Sequence, residues 1–257
     1  MTPDLTERFS LTGRRALVTG ASGALGSRFT EVLAGAGAAV ALAARRVDAM
    51  GDLRDRLDTR AAVIGLDITN PDAIPAAFDA VEAALGGPVD VVVNNSGIAA
   101  PGRLLDQPDA AWASLMAVNL DGARRVANEA ARRLIKAGRP GAIVNIASIL
   151  GLRQGAGVTA YATSKAALIQ LTKQQALEWA RYGVRVNALA PGYIETDLNR
   201  DFFASQAGQA QIKRIPMRRL GRPEELDGAL LLLVSDAGSF MTGSVIVADG
   251  GHLLSPL

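Results

Sequence analysis

Tyr161 and Lys165 have side chains and a spacing that suit proton transfer. They are four positions apart, so on a helix they lie on one face, where the lysine charge can lower the phenol pKa from about 10. A tyrosine tuned in this way exchanges a proton near neutral pH. Ser148 begins the same stretch, SILGLRQGAGVTAYATSK, and is a third candidate. The alternative interpretation of YATSK is an ordinary helix start with an exposed lysine.

Composition excludes several other kinds of catalytic site. The 257 residues include no cysteine, so there is no disulfide, no thiolate nucleophile and no thiolate metal site. The single histidine, His252, follows a Gly-Gly pair near the C-terminus, which excludes a histidine-based triad and a multi-histidine metal cluster. We expect this histidine to be structural or solvated, and we expect no metal site.

Charge and hydropathy limit the partners. The formal net charge is only +2 and the arginine pairs are scattered, so we expect no nucleic-acid partner. The N-terminal MTPDLTERFSLTGRR lacks the apolar run of a signal peptide, and no apolar run approaches the length of about 18 residues that a membrane span needs. These features predict a soluble, cytoplasmic protein that has no membrane partner.

Apolar runs and amphipathic segments alternate along the whole chain. Short apolar runs typical of buried strands are followed by helical periodicity, and no linker divides the sequence. The predicted strands are 15–19, 38–46, 61–69, 89–97, 141–148, 184–192 and 244–251, and the clearest predicted helices are 109–137, 159–182 and 223–235. The pattern predicts one α/β domain over 1–257, a Rossmann-type doubly wound parallel sheet of about seven strands with helices on both faces.

The first turn of such a sheet is a candidate nucleotide site. TGASGALG places Gly20, Gly23 and Gly26 between the first strand and its helix, where a pyrophosphate needs close approach to the backbone. The second strand ends in Arg45 and Arg46, where an NAD-preferring enzyme usually carries an acid. Arginines suit the 2′-phosphate of NADP, so we favour NADP(H) over NAD(H), although both arginines could instead cap the strand end in solvent.

Taken together, these motifs resemble the short-chain dehydrogenase/reductase family over essentially the whole chain. The resemblance rests on the glycine-rich turn, on Asn94-Asn95-Ser96-Gly97 after the fourth strand, on Asn119 in the long helix, and on Ser148 followed by Tyr161 and Lys165. It implies reversible hydride transfer between a nicotinamide cofactor and a carbonyl or secondary alcohol. The passage IPMRRLGRPEEL is similar to one in 3-oxoacyl-[acyl carrier protein] reductases and polyol dehydrogenases.

The resemblance implies a role for each matching residue. Tyr161 is the acid/base, Ser148 orients the reacting oxygen, Lys165 lowers the tyrosine pKa and binds the nicotinamide ribose, and Asn119 holds a water that links Lys165 to solvent. The alternative for Asn119 is a helix-interior asparagine on a polar face. The implied cofactor-binding residues are Gly20, Ser22, Gly23, Leu25, Gly26, Arg45, Arg46, Asp67, Ile68, Asn94, Ser96, Gly97, Tyr161, Lys165, Pro191, Gly192, Ile194 and Thr196.

Two positions depart from the family pattern. The usual turn is TGxxxGxG, whereas this chain has Ala24 at the middle position and Gly23 before it, so we expect a local change in the turn without loss of nucleotide binding. Ser96 replaces the usual alanine, which is a small polar change near the ribose.

The substrate is less well defined by the sequence. Besides Ser148, we expect Gln154, Val158, Tyr193 and Phe202, with Phe203, to line the pocket under a mobile loop at 197–217. A 3-oxoacyl thioester, a sugar, a polyol and a secondary alcohol all remain open. The basic residues Lys213, Arg214, Arg218 and Arg219 could attract an acidic carrier or CoA phosphates, or could form a solvated face.

Two further expectations concern the whole molecule. The family resemblance implies a homotetramer paired through the two long helices, where Trp112 and Trp179 are core or interface residues. The competing functional hypothesis is a nucleotide-binding scaffold or regulator that keeps the fold without turnover, and the intact Ser148, Tyr161 and Lys165 argue against it.

Overall fold

The computed structural model describes residues 5–197 and 199–254. The predicted domain also includes residues 1–4, 198 and 255–257, which lie outside the described residues. Residue 198 is part of the predicted substrate loop as well. Within the described ranges, seven parallel strands form one sheet in the order β3-β2-β1-β4-β5-β6-β7. They are β1 (Arg15–Thr19), β2 (Ala39–Ala44), β3 (Ala61–Gly65), β4 (Val91–Asn94), β5 (Gly141–Ile146), β6 (Val184–Pro191) and β7 (Val245–Ala248). This order confirms the predicted doubly wound sheet, whose strand sequence reverses between β1 and β4.

Helices cover both faces of this sheet. One face packs Phe29, Leu33 and Leu230 against the strands, and the other packs Phe78 and Val126. The helices are α1 (Leu5–Phe9), α2 (Ala24–Gly35), α3 (Gly51–Asp55), α4 (Ala73–Leu85), α5 (Asp109–Met116), α6 (Ala123–Lys136), α7 (Thr159–Trp179), α8 (Arg200–Ala204), α9 (Gln206–Ile212) and α10 (Asp227–Val234). The central strands are therefore buried on both sides, which explains their continuous runs of Ala, Val and Leu.

The predicted single helix 109–137 is wrong in one respect. The α5 and α6 helices are separated by a π-helical turn, Ala117–Gly122, which contains Asn119. Inside this turn Gly122 faces Ile68 so closely that a Cβ on it would lie 2.6 Å from the Ile68 Cδ1. Interruptions of this kind occur frequently at functional sites.

The first predicted strand is confirmed, whereas the other six extend one to four residues too far at their carboxyl ends. The third ends at Gly65 instead of 69, the fourth at Asn94 instead of 97, and the seventh at Ala248 instead of 251. The extra residues form loops at the carboxyl edge of the sheet, because their backbone turns away from the neighbouring strands. The predicted helix 223–235 also differs at its start. Its first four residues form a 3-10 turn, Pro223–Leu226, and α10 follows.

The helix that carries Tyr161 and Lys165 is confirmed. It continues from α7 into a 3-10 turn, Ala180–Tyr182, and ends at Gly183, whose φ of 77° is a left-handed conformation that favours glycine. No helix within 5–197 and 199–254 is long and apolar enough to cross a membrane.

Candidate active site at the carboxyl edge of the sheet

Ser148 lies just beyond the carboxyl end of β5. Its backbone is extended and its Oγ accepts a hydrogen bond at 3.1 Å from the Leu150 N–H, which starts a 3-10 turn, Ile149–Gly151. This turn packs directly on α7, since a Cβ on Gly151 would lie 2.7 Å from the Lys165 carbonyl carbon. The local fold therefore places the serine beside the helix that carries the other two candidates.

Tyr161 lies near this serine. The Ser148 side chain is close enough to the Tyr161 hydroxyl to favour the ionised phenol. Burial is the larger effect, however, and together with the nearby Tyr193 it raises the pKa of Tyr161 above its ordinary value. The lowered tyrosine pKa expected from the sequence is therefore wrong in direction.

Lys165 lies next to the tyrosine, and its ammonium bonds elsewhere. Its Nζ donates to the Ile146 main-chain oxygen at 2.7 Å and lies 5.6 Å from the centroid of the Tyr161 ring. The residue is 4% exposed. Burial lowers the pKa of Lys165 to about 8, so the group is protonated at neutral pH.

Asn119 is completely buried, so the alternative of an exposed polar face is wrong. Its Oδ1 accepts from the Ile98 N–H at 2.8 Å, while its Nδ2 donates to the Ile98 oxygen at 2.9 Å and to the Ser164 Oγ at 3.1 Å. The side chain thus fastens the loop after β4 to α7. Both amide hydrogens are used, so Asn119 could bond a water near Lys165 only through its Oδ1 or its main chain.

The glycine-rich turn is held against the end of β4. Asn95 Nδ2 donates to the Thr19 and Gly20 oxygens at 3.1 and 3.2 Å, and the Thr19 hydroxyl accepts from the Asn95 and Ser96 N–H groups at 3.1 and 3.2 Å. Gly20 has a φ of 66°, and a Cβ on Gly26 would lie 2.2 Å from the Gly20 oxygen. Two of the three predicted glycines are therefore required by the backbone.

Gly23 differs from these two glycines. A Cβ on it would lie no closer than 3.5 Å to another atom, and its φ is −97°. It is exposed and precedes α2, whose first turn carries no acidic side chain. Ser22 and Leu25 flank it and are half-buried. The bare backbone at a helix N-terminus fits a pyrophosphate.

The segment after β6 is also fixed tightly. A Cβ on Gly192 would lie 2.7 Å from the Asp249 Cα, so β6 and β7 approach closely just after Pro191. Ile194 forms a bridge with Gly221, and Thr196 N–H donates to Asn199 Oδ1 at 3.0 Å. The backbone here is well positioned to contact a ligand at the same edge.

Comparisons with known proteins agree with this geometry. A family model described as Enoyl-(Acyl carrier protein) reductase matches residues 20–252. Gluconate 5-dehydrogenase of Gluconobacter oxydans (strain 621H) is 37% identical over 257 residues, covering 98% of each chain. The 3-oxoacyl-[acyl-carrier-protein] reductase of Vibrio cholerae is 36% identical over 242 residues, covering 94% of this chain and 98% of the relative. The chain belongs to the short-chain dehydrogenase/reductase family.

A solved structure of the family aligns over nearly the whole chain. The crystal structure of a gluconate 5-dehydrogenase from Burkholderia cenocepacia J2315 in complex with NADP and tartrate has a TM-score of 0.93 and 37% identity, covering 98% of this chain and 100% of that one. Members of the family are NAD(P)-dependent oxidoreductases that act on alcohols and ketones, and the scaffold hypothesis is not favoured.

The residues predicted to bind the adenosine end of the cofactor lie after β2 and β3. Arg45 and Arg46 follow β2 and are exposed. Asp67 Oδ1 accepts from the Thr69 N–H and hydroxyl at 2.9 and 2.7 Å, which lowers the pKa of Asp67, and the nearby Arg45 lowers it further. Ile68 is buried against the π turn. Arg45 is therefore near the residues predicted to flank the adenine.

Asn94, unlike several of the other residues predicted to bind the cofactor, has its side chain inside the protein. Its side chain is buried, and its Nδ2 donates to the Ala123 oxygen at 3.1 Å and to Asn145 Oδ1 at 2.9 Å. The amide thus fixes β4 to its neighbours instead of reaching the rim. Ser96 and Gly97 remain at the rim, where a Cβ on Gly97 would lie 3.6 Å from Lys165 Nζ.

An aromatic cluster borders the catalytic groups. The Tyr193 ring centroid lies 5.4 Å from those of both Phe203 and His252, and Phe202 packs on Phe203 at 5.1 Å. Phe203 is buried, whereas Phe202 is 47% exposed. Val158 directly precedes α7 and is half-buried, and Gln154 is exposed. Of the two phenylalanines, Phe203 therefore contacts Tyr193.

The sequence analysis assigned no role to three residues of this site. Thr19 and Asn95 join the glycine-rich turn to β4, Ser164 supports Asn119, and each works through contacts distant in sequence. The doubled asparagine after a buried strand was the one available indication. His252, expected to be structural or solvated, is 9% exposed and packs on Tyr193.

Proposed function

We propose that this dehydrogenase/reductase interconverts a ketone and a secondary alcohol with Tyr161 as the acid/base, and that it uses NADP(H) in preference to NAD(H). The observation that carries the proposal is the placement of Ser148 beside Tyr161, with the buried Lys165 ammonium 5.6 Å from the Tyr161 ring centroid. When bound, the nicotinamide cofactor supplies the hydride in reduction and accepts it in oxidation. The remaining chemistry is the transfer of one proton.

In reduction, Tyr161 gives its proton to the carbonyl oxygen as that oxygen becomes an alkoxide. Because burial raises the pKa of Tyr161, the phenol keeps its proton until negative charge develops on the substrate. The Ser148 hydroxyl donates to the same oxygen and orients it. In oxidation the tyrosinate removes the alcohol proton, so the steps reverse.

Lys165 and Asn119 support this proton transfer. The Lys165 ammonium, 5.6 Å from the Tyr161 ring, stabilises the tyrosinate electrostatically and can bind the ribose next to the nicotinamide. Asn119 acts by holding the loop after β4 against α7. The water that returns a proton to Lys165 then bonds a main-chain atom of this region instead of the Asn119 amide hydrogens.

The cofactor extends along the carboxyl edge. We assign the pyrophosphate to the turn Gly20–Gly26, where a Cβ on Gly26 has no space. Arg45, with Arg46, binds the 2′-phosphate, and Asp67 and Ile68 flank the adenine. Ser96 and Gly97 lie along the ribose, and the segment from Pro191 to Thr196 holds the carboxamide. For Asn94 we assign a supporting role, since its side-chain amide is used inside the protein.

For the substrate we assign a pocket lined by Ser148, Gln154, Val158, Tyr193 and Phe202, covered by the loop 197–217, in which residue 198 lies outside the described part. The mixture of exposed amide and aromatic side chains suits a medium-sized, partly apolar carbonyl compound. The two relatives above are named for gluconate and for a 3-oxoacyl thioester, and both compounds carry polar groups beyond the reacting carbon.

The test is the oxidation of NADPH by wild type and Tyr161→Phe over a panel of ketones, keto acids and 3-oxoacyl thioesters. We expect turnover by wild type and a loss of at least about a thousandfold in the variant, because the proton donor is gone. NADPH binding, followed by fluorescence, should persist in both. Unchanged turnover in the variant would refute the assignment, and binding without any turnover by wild type would support the scaffold.

We further propose a single domain over 1–257 that assembles as a cytoplasmic homotetramer. An exposed groove lined by Ile135, Leu177, Trp179 and Tyr182 supports pairing through α6 and α7, because Leu177 is 78% exposed. Light scattering should give about four times the chain mass of 26.7 kDa. A monomer would contradict the assembly, and recovery in the membrane or extracellular fraction would contradict the location.

A further inference from the structure

Two arginines, a tyrosine and a histidine form a cluster on the substrate side of Tyr161. They are Arg153, Arg214, Tyr193 and His252. The Tyr193 and His252 rings lie 5.4 Å apart, and Arg153 Nη1 donates to the His252 main-chain oxygen at 2.5 Å. Arg153 belongs to the segment that follows Ser148, and His252 to the segment that follows β7. Two chain segments distant in sequence therefore meet here.

Arg214 reaches the cluster from a third segment, the turn after α9. The residue that follows it, Ile215, lies 3.0 Å from the position of a Cβ on Gly250, and Pro216 lies 3.1 Å from that of Gly251. The turn thus packs on the chain that carries His252. Consistent with this placement, burial raises the pKa of Tyr193 while the charges of Arg153 and Arg214 oppose that rise, and Arg214 also contributes to the lowered pKa of His252.

The cluster contains two guanidinium groups and one imidazole. Burial, followed by the charge of Arg153, lowers the pKa of His252, so the imidazole is neutral at pH 7. The acid that faces it is Asp249, whose two oxygens accept from the Gly251 and Leu253 N–H groups at 2.8 and 2.7 Å. Among the described residues, Arg153 and Arg214 thus bring two guanidinium groups to a neutral ring, and the Asp249 carboxylate bonds main-chain N–H groups.

Hydrogen-bonding capacity also remains in the cluster. Within the part of the chain that the structure describes, the buried Nδ1 of His252 has no hydrogen-bond partner. Arg153 uses one N–H on the His252 oxygen, and a guanidinium group has five. Buried polar atoms in proteins are normally partnered, so an unpartnered nitrogen beside two cations indicates a place for a ligand group.

The position of the cluster limits the size of that ligand. Tyr193 is close enough to Tyr161 to contribute to the raised pKa of Tyr161. A single small substrate can therefore place an anionic group beside Tyr193 and its reacting oxygen at Tyr161. The phosphates of CoA or of an acyl carrier protein are separated from their thioester by the long pantetheine arm. A carboxylate on the substrate itself fits this spacing better.

We propose that the substrate carries a carboxylate that binds Arg153 and Arg214 beside Tyr193, while its carbonyl or secondary alcohol lies at Ser148 and Tyr161. A planar guanidinium group matches the two oxygens of a carboxylate, so Arg153 and Arg214 determine specificity. The inference rests on the proposed function and adds the chemical class of the substrate.

The test uses pairs of compounds that differ only in the acid group. The first pair is 4-oxocyclohexanecarboxylate and 4-oxocyclohexanecarboxamide, and the second is D-gluconate and D-glucitol. Acetoacetyl-CoA is tested as well, as a thioester that carries phosphates. In each pair that reacts, wild type should prefer the acid. Arg153→Gln and Arg214→Gln should each lower kcat/KM for the acid about 10- to 100-fold, mainly through KM, and change the neutral partner less than about twofold.

Two controls separate charge from folding. Arg56→Gln removes an exposed arginine near the N-terminal end of β3 and should leave all substrates unchanged. Arg153→Lys keeps the charge and should recover part of the loss, with a melting temperature that shows that the variant folds.

The outcomes distinguish this inference from the function on which it rests. Equal losses for acid and neutral partners, a wild type without preference for the acid, or a loss confined to acetoacetyl-CoA would each overturn the carboxylate site while leaving the dehydrogenase intact. Failure of wild type on every ketone and alcohol, with NADPH still bound, would overturn the proposed function itself.

Discussion

The Lys165 ammonium donates to the main-chain oxygen of Ile146 at 2.7 Å, in a site where the lysine is 4% exposed. Burying a charge with one hydrogen-bond partner is costly, and the pKa of Lys165 falls to about 8 from its ordinary value of 10.5 as a result. This buried lysine, which we propose is catalytic, is therefore a source of instability in the folded protein. A residue kept at such a cost is typical of a functional site.

Lys165→Met should stabilise the cofactor-free protein at pH 7 while abolishing turnover. The pKa difference corresponds to roughly 3 kcal/mol, and loss of the bond to Ile146 reduces the expected gain to about 1–2 kcal/mol. Below pH 8 both folded and unfolded chains hold the proton, so the full cost is present. Between pH 8 and 10.5 the unfolded chain binds more protons, so wild type gains stability and the difference shrinks.

Urea unfolding at pH 7, 9 and 10 measures this difference. Lys173→Met is the matched control, because Lys173 is exposed on the same helix and should have little effect at any pH. A Lys165→Met protein that is less stable than wild type at pH 7 would show that the buried ammonium is not destabilising.

Gly26→Ala should lower stability and NADPH affinity, whereas Gly23→Ala should have little effect on stability. A Cβ at position 26 would lie 2.2 Å from the Gly20 oxygen and 2.8 Å from the Ala21 Cα, so the backbone of the turn must move. We expect a loss of about 1–3 kcal/mol in stability and at least a tenfold weaker affinity for NADPH. Position 23 has space and an ordinary φ, so its substitution should stay within about 0.5 kcal/mol.

Thermal melts and NADPH fluorescence titrations on the two alanine variants check this pair. Equal effects at both positions would mean that the turn is flexible and that the family-like glycine spacing is unimportant. A defect at position 23 alone would place the pyrophosphate against that residue.

The sequence predicted what depends on local pattern. Buried runs such as RALVT and the helix of Tyr161 are specified by periodicity and by Gly183, and a parallel sheet brings their carboxyl ends to one edge. The π turn at Asn119, the ties from Asn95 to Thr19 and the packing of His252 on Tyr193 depend on contacts between distant segments. The pKa of Tyr161 was mispredicted for a similar reason, since spacing gives proximity to Lys165 and says nothing about burial.

Arg45→Ala should change the choice of cofactor. Arg45 is exposed beyond β2 and close enough to Asp67 to lower the pKa of that carboxyl. Losing its charge-assisted hydrogen bonds to a 2′-phosphate should raise KM for NADPH about 10- to 100-fold and leave KM for NADH nearly unchanged. Steady-state kinetics with both cofactors measure the ratio, with Arg46→Ala as the neighbouring comparison. Equal losses for NADPH and NADH would exclude a 2′-phosphate role for Arg45.

Asn119→Asp should weaken the connection between the β4 loop and α7 in a pH-dependent way. The substitution keeps an acceptor for the Ile98 N–H, but a carboxylate cannot donate to the Ile98 oxygen or the Ser164 hydroxyl. A buried acid facing a carbonyl oxygen holds its proton, so its pKa rises above about 4. Its folded form is then favoured at low pH, and stability is lost as pH rises through that raised pKa.

The variant should therefore be about 2–4 kcal/mol less stable than wild type at pH 7.5 and less affected at pH 5. Urea midpoints at the two pH values measure this, and Asn70→Asp is the control, because the exposed Asn70 side chain accepts from the Asp72 N–H, a role that aspartate keeps. Since the same loop carries Gly97 next to Lys165, kcat should fall together with stability. A variant with normal stability at pH 7.5 would mean that the β4 loop and α7 hold together without this side chain.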